Sequence, residues 1–197
     1  MSAATSLPGH LVAPRAVADG LVAADAAYIR SHFVALAELA GDRLAEVREA
    51  IAAGRLPAPA YVLDDGTEMV PPDHLALADE AGDDLEATFR ARFAAAGGVD
   101  ADEQWREYLS GGYAVCLRTV TPETIVRKAQ LVDHIDAALA DPRPRDADWR
   151  DALRAAVDEL DALERPFAPL DEYRFGKRPT RRRLIDDPRE RWPWLAA

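Results

Sequence analysis

Apolar positions recur every three or four residues over most of this chain, and that period predicts a mainly α protein. Pro8, Gly9, Pro14 and Gly20 interrupt residues 1–24, which read as a flexible arm. Asp25 is a candidate N-cap for a first helix with Tyr28, Ile29 and Phe33 on its apolar side. Leu36, Leu39 and Ala40 continue the stripe until Gly41-Asp42-Arg43 breaks it. Leu44, Val47, Ala50 and Ile51 then form a second stripe that stops at Gly54, a C′ glycine by position. Next, Tyr61-Val62-Leu63 and Met69-Val70 flank Asp64-Asp65-Gly66-Thr67, the pattern of a β-hairpin. Helix, tight turn, helix and hairpin together predict a winged helix-turn-helix-like module over residues 25–72 with one small β-hairpin.

A helical bundle is expected over 73–165. Helices are predicted for 72–81 and 84–96, for a segment capped by Asp100 or Asp102, and for the apolar run Tyr113 to Leu117, where a short strand fits the pattern as well. Thr121-Pro122-Glu123 starts a helix that reaches about Ala140. Asp146 caps another, to about Glu164, and the two are expected to pair as an antiparallel hairpin. Residues 166–197 read as an irregular tail rich in arginine and aromatics.

Composition strengthens the helical reading: 40 of the 197 residues are alanine, the best helix former. The net charge of −11 disfavours nonspecific binding to nucleic acid or to an anionic membrane face. That charge is uneven. Arg174, Lys177, Arg178, Arg181, Arg182 and Arg183 make a basic band on an otherwise acidic chain. The sequence suggests that this band wraps back on its own acidic body, with Trp192 and Trp194 as apolar anchors. Cys116 is the only cysteine, so no intrachain disulfide can form, which suits a reducing compartment. Without a signal-like start or a run of about 20 apolar residues, a cytoplasmic protein is expected.

The segment Tyr108–Lys128 holds the densest chemistry. Arg118, Arg127 and Lys128 gather near a helix start and are candidates for binding a carboxylate or phosphate. Glu123, Arg127, Gln130 and His134 share one helix face, which offers Glu123 and His134 as catalytic candidates for proton transfer. The same residues also fit a solvated face with a Glu123–Arg127 pair. Cys116 sits in an apolar run; a nucleophilic role requires a nearby base to lower its pKa, and otherwise it is a small core residue. The histidines have no metal-ligand spacing, and neither a metal site nor a cofactor motif is expected. In the winged module, the second helix carries Glu46, Arg48 and Glu49, and the hairpin carries Asp64, Asp65 and Glu68. Carboxylates at those places argue against phosphate contact and for a scaffold.

YIRSHFVALAELAG, GRLPAPAYVLDDGTEMVPPDH, YLSGGYAVCLRTVTPETIVRK and FGKRPTRRRLID resemble a bacterial family of natural-product biosynthesis proteins. GRLPAPAYVLDDGTEMVP also resembles MerR-type winged modules, apart from its acidic hairpin. A fainter resemblance is to small subunits that close nitrogen heterocycles. The first resemblance implies a place in specialised metabolism; together with the Arg118–Lys128 cluster it leads to the expectation of an enzyme or enzyme subunit acting on a small polar, anionic intermediate. The second implies a DNA-binding regulator. A third expectation is a non-catalytic partner of a pathway enzyme, docking through the helix pair at 122–164 in a hetero-oligomer.

Overall fold

The computed structural model describes residues 23–168, 170–171 and 178–196. The predicted N-terminal arm up to residue 22, and Arg174 and Lys177 of the basic band, lie outside the described residues. The chain is mainly helical with one small sheet. Helix α1 spans Ala23–His32. It begins before Asp25, so Asp25 is not its N-cap. Asp25 is buried inside the first turn, and its carboxylate accepts the Leu170 N–H at 3.0 Å.

The apolar stripe of 25–40 conceals a break. After α1 the chain extends for two residues as β1 (Val34–Ala35) before α2 (Leu36–Ala40). A turn of 3-10 helix at Gly41–Arg43 leads into α3 (Leu44–Ala52). The hairpin β2 (Tyr61–Val62) and β3 (Glu68–Val70) follows, with Gly66 at φ +80° in its turn. The sheet therefore has three strands, in the order β1-β3-β2, where the sequence predicts only the hairpin. Both ladders are antiparallel, with Val34 opposite Val70 and Tyr61 opposite Met69. A two-residue strand leaves no period to read, and only its pairing with β3 reveals it.

Behind the sheet come α4 (Ala76–Ala81), α5 (Leu85–Ala95), α6 (Ala101–Leu109) and α7 (Gly112–Cys116). Phe89, Phe93, Trp105 and Tyr108 form their aromatic core. Helix α4 starts later than the pattern predicts, because Pro71–Leu75 first makes two turns, His74 N–H to Pro71 O and Ala76 N–H to Asp73 O, each 3.0 Å. The long pair is α8 (Pro122–Ala140) and α9 (Ala147–Leu163). Thr121 and Thr124 cap α8 reciprocally, and Asp146 caps α9 through two backbone N–H groups. Arg127 near the start of α8 meets Glu159 near the end of α9, so the helices are antiparallel.

The tail departs from the irregular segment expected. Residues Arg182–Asp186 form a π-helical turn, continued by α10 (Asp187–Arg191) and a 3-10 turn at Pro193–Leu195. Leu184, Ile185 and Leu195 are buried in the same core as Leu131, Ile135, Leu153 and Leu160. Trp192 and Trp194 pack edge-on against Trp149. Of the cations in this segment, Arg181 pairs with Asp161 at 2.6 Å, Arg183 with Asp136, and Arg189 with Asp158 and Asp161. The tail thus occupies one side of the α8–α9 pair. Among the described residues no helix is long and apolar enough to cross a membrane.

Candidate functional site

Of the residues singled out between 118 and 134, Arg118 precedes α8 and the others separate onto two of its faces. Glu123, Arg127 and His134 are exposed. Arg92 grips Glu123 with two hydrogen bonds of 2.8 and 2.9 Å, and also holds Glu80 at 2.8 Å. The Arg92 hydrogen bonds, against a smaller cost of burial, hold the Glu123 carboxyl down at about 2. It is an anion throughout the physiological range, fixed in an ion pair. Arg127 is likewise engaged, with Glu159 at 2.5 and 2.6 Å. Eleven residues of α-helix separate Glu123 from His134, about 16 Å along the axis, so the two cannot reach one reacting atom. Arg118 is exposed and contributes its backbone: its N–H donates to Leu163 O at 2.9 Å.

Lys128 turns the other way. Ile125, Leu131 and Ile135 line the buried side of α8, and Lys128 shares their spacing of three and four. Its side chain is 14% exposed. The ammonium lies 2.8 Å from Oε1 of Glu164 and 3.0 Å from Sγ of Cys116. Burial opposes the charge on Lys128. The Cys116 and Glu164 anionic forms beside it outweigh that cost and hold it above the ordinary lysine range.

Glu164 is fully buried at the end of α9, on the stripe of Val157 and Leu160. Its Oε1 also accepts the Thr180 hydroxyl at 2.7 Å, while Oε2 has no partner among the described residues. Thr180 belongs to the tail, so three distant parts of the chain meet here. The spine of the meeting point is an antiparallel bridge of Leu117 with Glu164, flanked by Arg165 N–H to Cys116 O at 2.9 Å. Arg165, buried, fans out over it. Nε donates to Leu117 O at 3.0 Å, Nη2 to Arg118 O at 3.1 Å and Nη1 to His32 O at 3.1 Å, with the guanidinium 4.5 Å from the Phe33 ring centre. Burial lowers the Arg165 pKa from its usual value.

Cys116 closes α7 and is half-buried, its Sγ 3.4 Å from Tyr113 O. A charged group therefore stands beside the thiol, supplied from twelve residues downstream, but it is an ammonium and not the base that the sequence reading asks for. Sequence reasoning offers Lys128 for binding an anion, weighs Cys116, and misses Glu164 and Thr180. The available signal for Glu164 was a carboxylate four residues after Leu160 on an otherwise apolar stripe.

A cleft of about 560 Å³ opens elsewhere, between α3 and α4–α5. Carboxylates such as Glu46, Asp79 and Asp83 outnumber Arg43 and Arg55 along it, so it is a poor place for an anionic intermediate. Of the two arginines lining it, Arg43 is engaged with Asp79 at 2.7 Å. No group of three or more His, Cys, Asp or Glu side chains is placed to hold a metal ion among the described residues.

A family model described as a family of unknown function (DUF6058) matches residues 74–193, more than half of the chain. Neither a curated protein nor a solved structure matches significantly.

Proposed function

Because the chain belongs to this family of unknown function, and the match at 74–193 contains Cys116, Lys128 and Glu164, we propose that the family domain carries covalent thiol chemistry. Cys116 is the nucleophile. The Lys128 ammonium stands against its sulfur, and Glu164 with Thr180 fixes that ammonium in place. The single observation behind this reading is the position of Lys128 Nζ, 3.0 Å from Sγ and 2.8 Å from Glu164.

A thiolate of this kind attacks the carbonyl carbon of a small activated acyl intermediate. A C–S bond forms, and the leaving group departs with its electron pair. An amine of the same intermediate then attacks the acyl carbon, forming the C–N bond as the C–S bond breaks and the thiol returns. That sequence closes a nitrogen heterocycle. It suits the resemblance to natural-product biosynthesis proteins, with the chain acting alone or as one subunit of a pathway enzyme.

Alkylation by iodoacetamide at neutral pH, followed by intact mass, tests it. Cys116 should react at least about ten times faster than an unstructured cysteine peptide, and Lys128→Met combined with Glu164→Leu, which leaves no buried charge unpaired, should abolish that advantage while keeping the helical circular dichroism. A rate equal to the peptide's, or one indifferent to the double change, removes the proposal.

A second reading concerns residues 25–72. The order α1, β1, α2, α3, β2, β3 and the sheet order β1-β3-β2 support a winged helix-turn-helix module. The pairing of Arg43, Arg48 and Arg30 with Asp79, Glu68 and Asp65 supports its use as a scaffold, since a cation already neutralised releases fewer counterions on DNA. Mobility shift at low salt separates the two uses. No shift is expected, and a shift that weakens steeply with salt makes the module a DNA reader.

A further inference from the structure

His74 is 6% exposed, and its Nε2 has no partner among the described residues. The neighbouring Asp73 accepts the Val120 N–H at 3.1 Å through Oδ2, but its buried Oδ1 also has no partner among the described residues. Both side chains line one small cavity, walled by Pro57, Pro71, Tyr108 and Gly111. Two buried acceptors left unsatisfied at one spot are costly, and a folded protein normally pairs them.

The roles of the two atoms can be derived. The backbone partner of His74 is Pro57. Proline has no N–H, so what favours the charged ring there is its carbonyl oxygen. A neutral ring suits that oxygen only with its proton on the nitrogen facing it, and with Nε2 unpartnered that nitrogen is Nδ1. Burial depresses the His74 pKa to about 4, so at neutral pH the ring carries a single proton, on Nδ1. Nε2 is then a bare acceptor, and Asp73 Oδ1 is another. The occupant must therefore offer two hydrogens. The space is about 10 Å³, the room of one water-sized centre.

We propose that a single internal water bridges His74 Nε2 and Asp73 Oδ1 and is a built-in part of the joint between residues 57–73 and the helical domain. The joint is otherwise direct: Ala58 N–H donates to Leu109 O at 2.9 Å, and Gly111 passes against the Ala58 carbonyl. The water completes it where the chain turns into α4. Through Asp73 it also steadies Val120, four residues after Cys116, which is a positioning effect independent of what Cys116 does.

A high-resolution crystal structure of the full chain tests the proposal directly. One ordered water should lie within hydrogen-bond distance of both atoms. A structure in which the ring or the carboxylate instead pairs with protein atoms, or in which the cavity holds no density, overturns it. His74→Leu and Asp73→Asn provide an independent measure in solution. Each should lower the folding equilibrium constant by about tenfold. Because both act through the same water, the double variant should be little worse than either single one. Full multiplication of the two losses rejects the bridge.

Discussion

Lys128 Nζ lies 3.0 Å from the sulfur of Cys116 and 2.8 Å from a carboxylate oxygen of Glu164, and so ties the end of α7 and the end of α9 to the middle of α8. The arrangement has a cost as well as a use. A buried charge left without its partner is among the most destabilising changes a protein can undergo, whereas exchanging both partners for apolar groups of similar size is often neutral.

Lys128→Ala should therefore lower stability by about 3–5 kcal/mol in urea unfolding. The pair Lys128→Met with Glu164→Leu should recover most of that loss. If the single change costs less than about 1 kcal/mol, the ammonium is not the partner that burial of Glu164 requires.

Arg165 gives a sharper test of geometry. Its guanidinium serves three carbonyls, of His32, Leu117 and Arg118, from three separate nitrogens. A lysine has the same charge but a single nitrogen that cannot span that fan. Arg165→Lys should lose nearly as much stability as Arg165→Ala, about 2–4 kcal/mol by denaturant midpoint. Rescue by lysine would show that charge alone matters there.

The sequence made most helices legible, because Thr121-Pro122, Asp146 and the alanine-rich stripes act locally and their consequences are local. The chemistry was legible only in part. Glu123, Arg127 and His134 share a face by period, but a face says nothing about whether it meets a cleft or water. Lys128 carried the better signal, a cation at the spacing of Ile125, Leu131 and Ile135, and a charge on an apolar stripe predicts a buried partner. Which partner it finds depends on the antiparallel return of α9 and on Thr180 of the tail. No local pattern encodes those contacts. The third strand was hidden for the same reason, since Val34 and Ala35 acquire their conformation from Val70 and Met69.

Gly111 separates backbone strain from close approach. It holds φ +77°, and a Cβ there would stand 2.4 Å from the Ala58 carbonyl oxygen. Gly66 has nearly the same φ, +80°, but opens into free space. Gly66→Ala should cost about 1–2 kcal/mol, the ordinary penalty of a left-handed side chain. Gly111→Ala should cost distinctly more, because backbone on the far side must also move. Equal costs in thermal unfolding would mean that the joint with Ala58 yields without loss.

Acid should loosen the joint at His74 in a defined window. Asp73 and Tyr108 face the same cavity, and burial followed by the Asp73 charge pushes the Tyr108 hydroxyl up to about 12, so it stays neutral throughout. The His74 pKa is depressed to about 4 in the folded chain, against about 6.5 unfolded. Between those values the unfolded state binds a proton that the folded state refuses. Stability therefore rises with pH across the window. Above about pH 6.5 the folded chain pays no penalty for neutral His74. As pH falls towards about 4 the penalty grows to at most about 3 kcal/mol, and it then levels off as the folded form also protonates. Carboxylates such as Glu123, held at about 2 by Arg92, add a loss at lower pH. Unfolding free energies measured from pH 7 to pH 4 for the natural chain and for His74→Leu should thus converge as the pH falls and cross before about pH 4, because the acid loss exceeds the roughly tenfold cost of the substitution. If the two profiles stay parallel, His74 titrates at its ordinary value and the cavity is open to solvent.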